Sequence, residues 1–284
     1  MQELVIPQAV AAATAIASEL GLVVDDATVL HNSNKLALRL LPCDVFARVA
    51  HVGQEVAELE VAFALQLAQT GSPVAALDSR VEPRVYERDG FAVTLWTFYE
   101  SLSPPDGAPS DYAEALERLH AGMRTLDLAT PHFTDRVTEA QQLVSNCSLT
   151  PALLDADRDL LIDTLRDRVL AIAHRRAPEQ LLHGEPHPGN VLHPRDGVRF
   201  IDFETLCRGP VEFDLAHVPE DVSGRYHGAD PDILHDCRGL VLAMVAAWRW
   251  DSSDEFPDGA RAGRELVRVL RDGPPWPTLE AVTP

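Results

Sequence analysis

Between His183 and Glu204 the chain sets a candidate base, an amide and a carboxylate at the two ends of one expected hairpin. The run is His183-Gly184-Glu185-Pro186-His187-Pro188-Gly189-Asn190, then eleven residues, then Asp202-Phe203-Glu204. An amide oxygen from Asn190 and a carboxylate oxygen from Asp202 suit a hard cation such as Mg²⁺, which keeps waters and takes further ligands from phosphates. Adjacent antiparallel strands lie about 4.8 Å apart, so the ends of such a hairpin can converge on one ion. Pro186 biases Glu185 toward an extended conformation. A carboxylate held that way can accept a proton from a hydroxyl or orient it.

The same residues have plainer readings. A hairpin turned on Asp196-Gly197 occurs in any fold, with Asn190 as a turn residue and Asp202 as a salt-bridge partner. Zinc is a further possibility, with His183, His187 and His193 as nitrogen ligands and Asp202 as an oxygen ligand. The His-x-x-x-His spacing suits a helix face, and Pro186, Pro188 and Gly189 forbid a helix there.

The elements around this segment follow from hydrophobic period and turn chemistry. Residues 7–20 and 54–69 read as helices, the second stopped by Gly71 and Pro73. Residues 27–31, 36–41 and 45–49 read as strands. Residues 85–86 and 91–99 flank Arg88-Asp89-Gly90, a hairpin signal. A proline-rich stretch from Ser101 to Ser110 reads as a linker and puts the domain boundary near residue 98. Beyond it the pattern is mainly helical. Asp111 is expected to cap a helix ending near Met123, residues 158–176 form another, and Asp230-Pro231 opens a third that runs to about Trp250. Residues 191–192 and 198–201 are the only strand pair expected there. The fold class is therefore α+β in two lobes. A small antiparallel sheet with one inserted helix (1–98) precedes a larger, mainly helical lobe (99–284).

Composition narrows the chemistry. The 284 residues carry a net charge of −20, with 12 acidic against 6 basic residues through position 98 and 32 against 18 after it. That field disfavours nucleic acid and anionic membranes and fits a cationic small molecule, although solubility alone also accounts for it. Lys35 is the sole lysine among 24 basic residues. The four cysteines form no Cys-x-x-Cys pair, the apolar run 240–248 is too short for a bilayer, and a cytoplasmic protein is expected. No Gly-x-Gly, no Gly-x-x-x-x-Gly-Lys-Ser/Thr and no Gly-x-Ser-x-Gly is present. This removes the dinucleotide fingerprint, the Walker loop and the hydrolase elbow.

The segment His183 to Leu192 followed by Phe200-Ile201-Asp202-Phe203-Glu204 resembles the catalytic and metal-binding segment of the aminoglycoside phosphotransferase family. These are small-molecule kinases of protein-kinase-like fold. Gly209-Pro210, Phe213-Asp214-Leu215-Ala216, Thr94-Leu95-Trp96, Glu60-Val61-Ala62 and Leu116 to His120 resemble further family segments in the right order, over about residues 27–250. The resemblance implies that Asn190 and Asp202 bind the Mg²⁺ that bridges the phosphates of ATP, GTP being the other candidate. Glu185 would stand at the catalytic carboxylate where the family usually has Asp, and His183 would hold its loop by hydrogen bonds. Arg48 would replace the phosphate-anchoring lysine, paired with Glu60 (Glu55 and Glu58 being rivals), and Lys35 would compete for the phosphate. Ser33 and Asn34 would lie in the turn over the phosphates. Trp96 and Phe98 would flank the base, and Asp214 would be a structural anchor. The expected reaction is ATP-dependent phosphorylation of a hydroxyl on an aminoglycoside, sugar or other alcohol, an antibiotic-resistance activity in the first case, by a monomer or homodimer. The alternatives are a nucleotide-binding protein with little catalysis and a metal-dependent hydrolase.

Overall fold

A computed structural model of the chain describes residues 1, 5–32, 35–53, 56–100 and 108–282. In chain order the elements are α1 (Ile6–Glu19), β1 (Val24–Asn32), β2 (Leu36–Pro42), β3 (Val45–His51), α2 (Val56–Gln69), β4 (Tyr86–Arg88) and β5 (Phe91–Thr97). Then follow α3 (Ala108–Met123), α4 (Phe133–Ser145), α5 (Asp155–Arg175), β6 (Gln180–Leu182), β7 (Val191–Leu192), β8 (Arg199–Phe200) and β9 (Cys207–Gly209). The chain closes with α6 (Val211–Leu215), α7 (Glu220–Ser223), α8 (Pro231–Arg249), α9 (Gly259–Asp272) and α10 (Leu279–Val282). This is the mixed helix-and-sheet architecture expected.

Packing divides the chain into two units. One holds Met1–Asp106 and Val191–Glu204, the other Gly107–Asn190 and Thr205–Pro284. Sequence patterning placed a single boundary near residue 98. It did not foresee that 191–204 returns to the first unit. Backbone bonds draw it there: Phe200 N donates to Pro73 O at 2.8 Å, and Ala75 N to Phe200 O at 3.0 Å.

The first unit is built on an antiparallel sheet of order β1-β2-β3-β5-β4. Alternation along β2 and β3 sends Leu36, Leu38, Leu40, Val45, Ala47 and Val49 to one face, where they are fully buried. Helix α1 covers that face with Ala9, Ala12, Ala13, Ile16 and Ala17, small side chains that let it lie close. Asp89 and Gly90 both take positive φ, the two-residue turn that Asp-Gly favours between β4 and β5.

In the second unit α8 is the central element. Its stretch Leu240–Ala247 is apolar around nearly the whole circumference because α4, α5 and α9 pack about it. The apolar run noted in the sequence is thus a core helix, and no helix among the described residues is long and apolar enough to cross a membrane. The Asp230 side chain caps α8 through the Asp232 and Ile233 amides. Two local expectations need correction. Asp111 lies in the first turn of α3, which starts at Ala108, and is not its cap. The hairpin β7–β8 is not the only strand pair after residue 98, since β6 and β9 also pair. Those strands are three residues each and joined by no tight turn, so no local signal marks them.

Candidate active site

In the first unit the sheet face opposite α1 gathers charge. By strand register Ala37, Arg48 and Thr94 stand side by side on it, with Phe46 and Trp96 next along. Lys35, just before β2, follows the same alternation. Arg48 Nη1 donates to Glu60 Oε1, in α2. Its Nη2 lies 3.1 Å from Glu204 Oε1 and 3.2 Å from Asp202 Oδ2. Lys35 Nζ pairs with Glu204 Oε1 and lies 3.6 Å from Glu60 Oε2. Two cations therefore share three carboxylates. Glu60 is only 2% exposed. Burial pushes its carboxyl up, against the pull of Arg48 and Lys35. Burial, then the Arg48 charge, pushes Lys35 down.

Asp202 carries two marks of a ligand position. Its backbone sits at φ 67°, the left-handed region that costs a non-glycine residue about 1 kcal/mol or more. Its Oδ1 is buried and makes no hydrogen bond. Buried carboxylate oxygens are ordinarily satisfied, and this one is left without a protein donor. A hard cation fits that oxygen.

Trp96 is buried, and its Nε1 donates to Thr94 Oγ1 at 2.8 Å, which makes it part of the sheet packing. Phe98 is half-buried, with the Arg39 guanidinium 3.9 Å over its ring. Ser33, Asn34 and Glu55 lie outside the described residues. Of the described residues of α2, Glu60 and not Glu58 is the ion-pair partner of Arg48.

In the second unit the His183–Asn190 loop is held from beneath. Asp214, wholly buried, accepts from His183 N at 2.9 Å and Gly184 N at 2.8 Å, and lies 2.9 Å from His120 Nε2. His120 Nδ1 in turn meets the Tyr226 hydroxyl at 2.8 Å. Burial would raise the Asp214 carboxyl, but His120, His183 and the Gly184 amide together hold it below the usual range. Asp214 is thus the anchor of the loop. Gly184 has φ 91°, and a Cβ there would sit 1.9 Å from Thr205 O, so only glycine fits. His183 is fully buried, and its Nδ1 accepts from Glu185 N at 3.4 Å. It shapes the backbone under Glu185. The Tyr112 hydroxyl donates to Pro186 O. Asn190 Nδ2 donates to Glu185 O at 3.0 Å, which commits the amide nitrogen and leaves Oδ1 as its acceptor end.

Glu185 has a partner that sequence reading missed. Arg136 Nη2, in α4, donates to Glu185 Oε1 at 2.5 Å. The guanidinium lies 4.8 Å over the Trp248 ring. Burial alone would raise the Glu185 carboxyl, but Arg136, with His217 and His187, brings it below the usual range. His217 is buried and its Nε2 has no hydrogen-bond partner. Burial lowers it to about 4, so it is neutral at pH 7. No signal in the sequence marks Arg136, one of 23 arginines in the chain.

The zinc arrangement is not supported by these positions. His183 is buried against its own loop, and no group of three His, Cys, Asp or Glu side chains among the described residues is arranged to hold a metal.

The model of the phosphotransferase enzyme family (APH) matches residues 27–236. Solved structures share the fold across nearly the whole length. One is an amicoumacin kinase in complex with AMP-PNP, Ca²⁺ and amicoumacin, 11% identical, covering 95% of this chain and 97% of that one, with a TM-score of 0.68. A choline/ethanolamine kinase family protein from Mesorhizobium loti is 17% identical, with 94% and 98% coverage and a TM-score of 0.67. The GDP complex of aminoglycoside 2'-phosphotransferase-IIIa is 16% identical, with 96% and 99% coverage and a TM-score of 0.66. No curated protein sequence matches the chain.

Proposed function

The chain belongs to the phosphotransferase enzyme family, and from that premise we propose that it moves the γ-phosphoryl group of ATP to a hydroxyl of a small molecule. The observation that carries this reading is Asp202, strained at positive φ with one buried carboxylate oxygen left unbonded next to the Arg48–Glu60 pair. Asp202 would hold Mg²⁺ through Oδ1, and Asn190 would offer the Oδ1 that its own hydrogen bond leaves free. Bound to nucleotide, the ion would neutralise phosphate charge. Similar folds have been captured with AMP-PNP and Ca²⁺ or with GDP, so ATP and GTP are both candidate donors.

In this reading Arg48 grips phosphate oxygens, since a guanidinium offers paired donors and is always charged. Lys35 is the second cation and Glu60 keeps Arg48 in place. Phe98 offers a ring edge for the base. Glu185 takes the proton of the acceptor hydroxyl. The hydroxyl oxygen bonds to the γ-phosphorus, the bond from that phosphorus to the β-phosphate oxygen breaks, and ADP leaves with the pair of electrons. Charge placement supplies most of the acceleration, and the base contributes a smaller part. The four cysteines are free thiols, in keeping with a cytoplasmic site of action.

One feature favours a second reading. Glu185 is engaged by Arg136, and Lys35 and Arg48 are engaged by Glu204, as in a protein that binds nucleotide with little turnover. Coupled detection of ADP across sugars, amino alcohols and aminoglycosides separates the two. Turnover that needs Mg²⁺ and disappears in Asp202→Ala supports the kinase. Tight nucleotide binding without ADP release under every condition supports the binding protein.

A further inference from the structure

The composition favours a cationic acceptor, but the groups beside Glu185 point the other way. Arg136 spends Nη2 on Glu185, while its Nη1 is buried and bonded to nothing. The guanidinium is stacked on Trp248, which fixes its plane. Arg249, the next residue of α8, stands 4.3 Å over the Phe256 ring and feels the Glu185 charge. Its Nη1 is engaged by Asp254 Oδ1 in an ion pair at 3.2 Å, while its Nε is buried without a hydrogen bond. Trp250 Nε1 and Asp254 Oδ2 are also unbonded, but both lie against the glycines of α9. A Cβ on Gly263 would sit 3.2 Å from the first, and one on Gly259 2.4 Å from the second. Apart from His217 Nε2, the unbonded groups left around Glu185 are guanidinium N–H donors. Desolvated donors of this kind are costly unless a ligand completes them, and the two oxygens of a carboxylate can accept from one donor on each arginine.

Resting on the phosphotransferase reading, we propose that the acceptor is an alcohol that also bears a carboxylate, held by Arg136 and Arg249 while its hydroxyl faces Glu185. The side chains of Arg136, Arg249 and Glu185 are each 16–23% exposed, so part of each faces solvent. The acidic field of the whole chain does not decide the matter. Charges more than a Debye length away, about 8 Å at physiological salt, are largely screened, while the two guanidinia act at contact.

The test uses two sets matched in shape. One is glucuronate, glucose and glucosamine; the other is glycerate, glycerol and serinol. Each is titrated against the full-length protein with Mg²⁺ and AMP-PNP, and then assayed with ATP for ADP release. The acid of at least one set is expected to bind at least about tenfold tighter than its neutral and amine counterparts. Arg249→Gln should remove that preference while nucleotide affinity and far-UV circular dichroism stay unchanged, and Arg249→Lys should restore part of it. Acids that bind no better than their counterparts, or an amine that binds best, overturn the proposal. Failure of the underlying phosphotransferase reading looks different: AMP-PNP itself does not bind, or ADP release does not depend on Asp202.

Discussion

Arg48 reaches Glu60 with one guanidinium nitrogen and both Asp202 and Glu204 with the other. One arginine thus ties β3 to α2 and to the segment after β8. Glu60 is its most buried partner, and Lys35 approaches the other oxygen of the same carboxylate.

Removing that carboxylate is expected to be expensive. Glu60→Gln leaves two cations near each other in a desolvated place, and breaking a buried pair on one side typically costs about 3–5 kcal/mol. Urea unfolding of Glu60→Gln should show a loss of that size. Arg48→Ala should weaken ATP binding by about tenfold or more, as loss of a charge-assisted phosphate contact does. Lys35→Ala should do less, because Lys35 is pushed down by burial and by Arg48 itself. Calorimetric titration of both variants with ATP checks the order. A larger loss in Lys35→Ala would make lysine the phosphate anchor.

Asp202 separates stability from activity. Its left-handed backbone suits glycine better than aspartate. Asp202→Gly should therefore keep or slightly raise the melting temperature while abolishing Mg²⁺-dependent turnover. Asp202→Asn, which tolerates the same backbone, should lose turnover with little change in stability. A glycine variant that retains normal turnover would remove Asp202 from the metal site.

Much of this arrangement was legible in the sequence, and for local reasons. The Asp-Gly turns, the cap at Asp230 and the strand alternation of β2 and β3 are short-range signals. The Arg48–Glu60 pair was legible because one strand followed by one helix puts them only twelve positions apart. The Arg136–Glu185 and His120–Asp214 contacts span 49 and 94 residues and leave no periodic trace. Helix α4 was missed for a different reason. Its cap is His132, whose backbone amide donates to Asp135 while its ring meets the Thr134 amide and hydroxyl, and histidine is not among the usual capping residues.

The Arg136–Glu185 contact makes a kinetic prediction. Burial raises the Glu185 carboxyl, and the Arg136 charge is the largest influence that holds it below the usual range. The acid limb of the kcat/KM profile should therefore lie below the ordinary glutamate value. In Arg136→Gln burial dominates, so the limb should move upward in pH. Glu185→Gln should lose most activity, about a hundredfold or more, with ATP affinity preserved. An unchanged limb in Arg136→Gln, recorded on a variant that still binds ATP, would show that Glu185 is not the group titrating.

His217 gives the chain a pH-dependent stability of known sign. Buried and without a partner at Nε2, it titrates at about 4 in the fold, against 6.5 when free. The folded state therefore binds fewer protons than the unfolded state between those values. Its contribution is fully present above pH 6.5 and is lost progressively as pH falls toward 4. A shift of that size is worth about 3 kcal/mol at most. Asp214 acts in the same direction at lower pH, because its carboxyl is held below the usual range and its contribution fades as pH falls through the folded value. Urea unfolding at pH 7.5, 6, 5 and 4.5 should show a steady decline. His217→Phe removes the titrating ring while filling the space beside Phe213, and should flatten the decline between pH 6.5 and 4.5. The steeper fall below pH 4.5, which belongs to Asp214 and the other carboxylates, should remain. A slope between pH 6.5 and 4.5 that is the same in the variant would assign the loss to other groups.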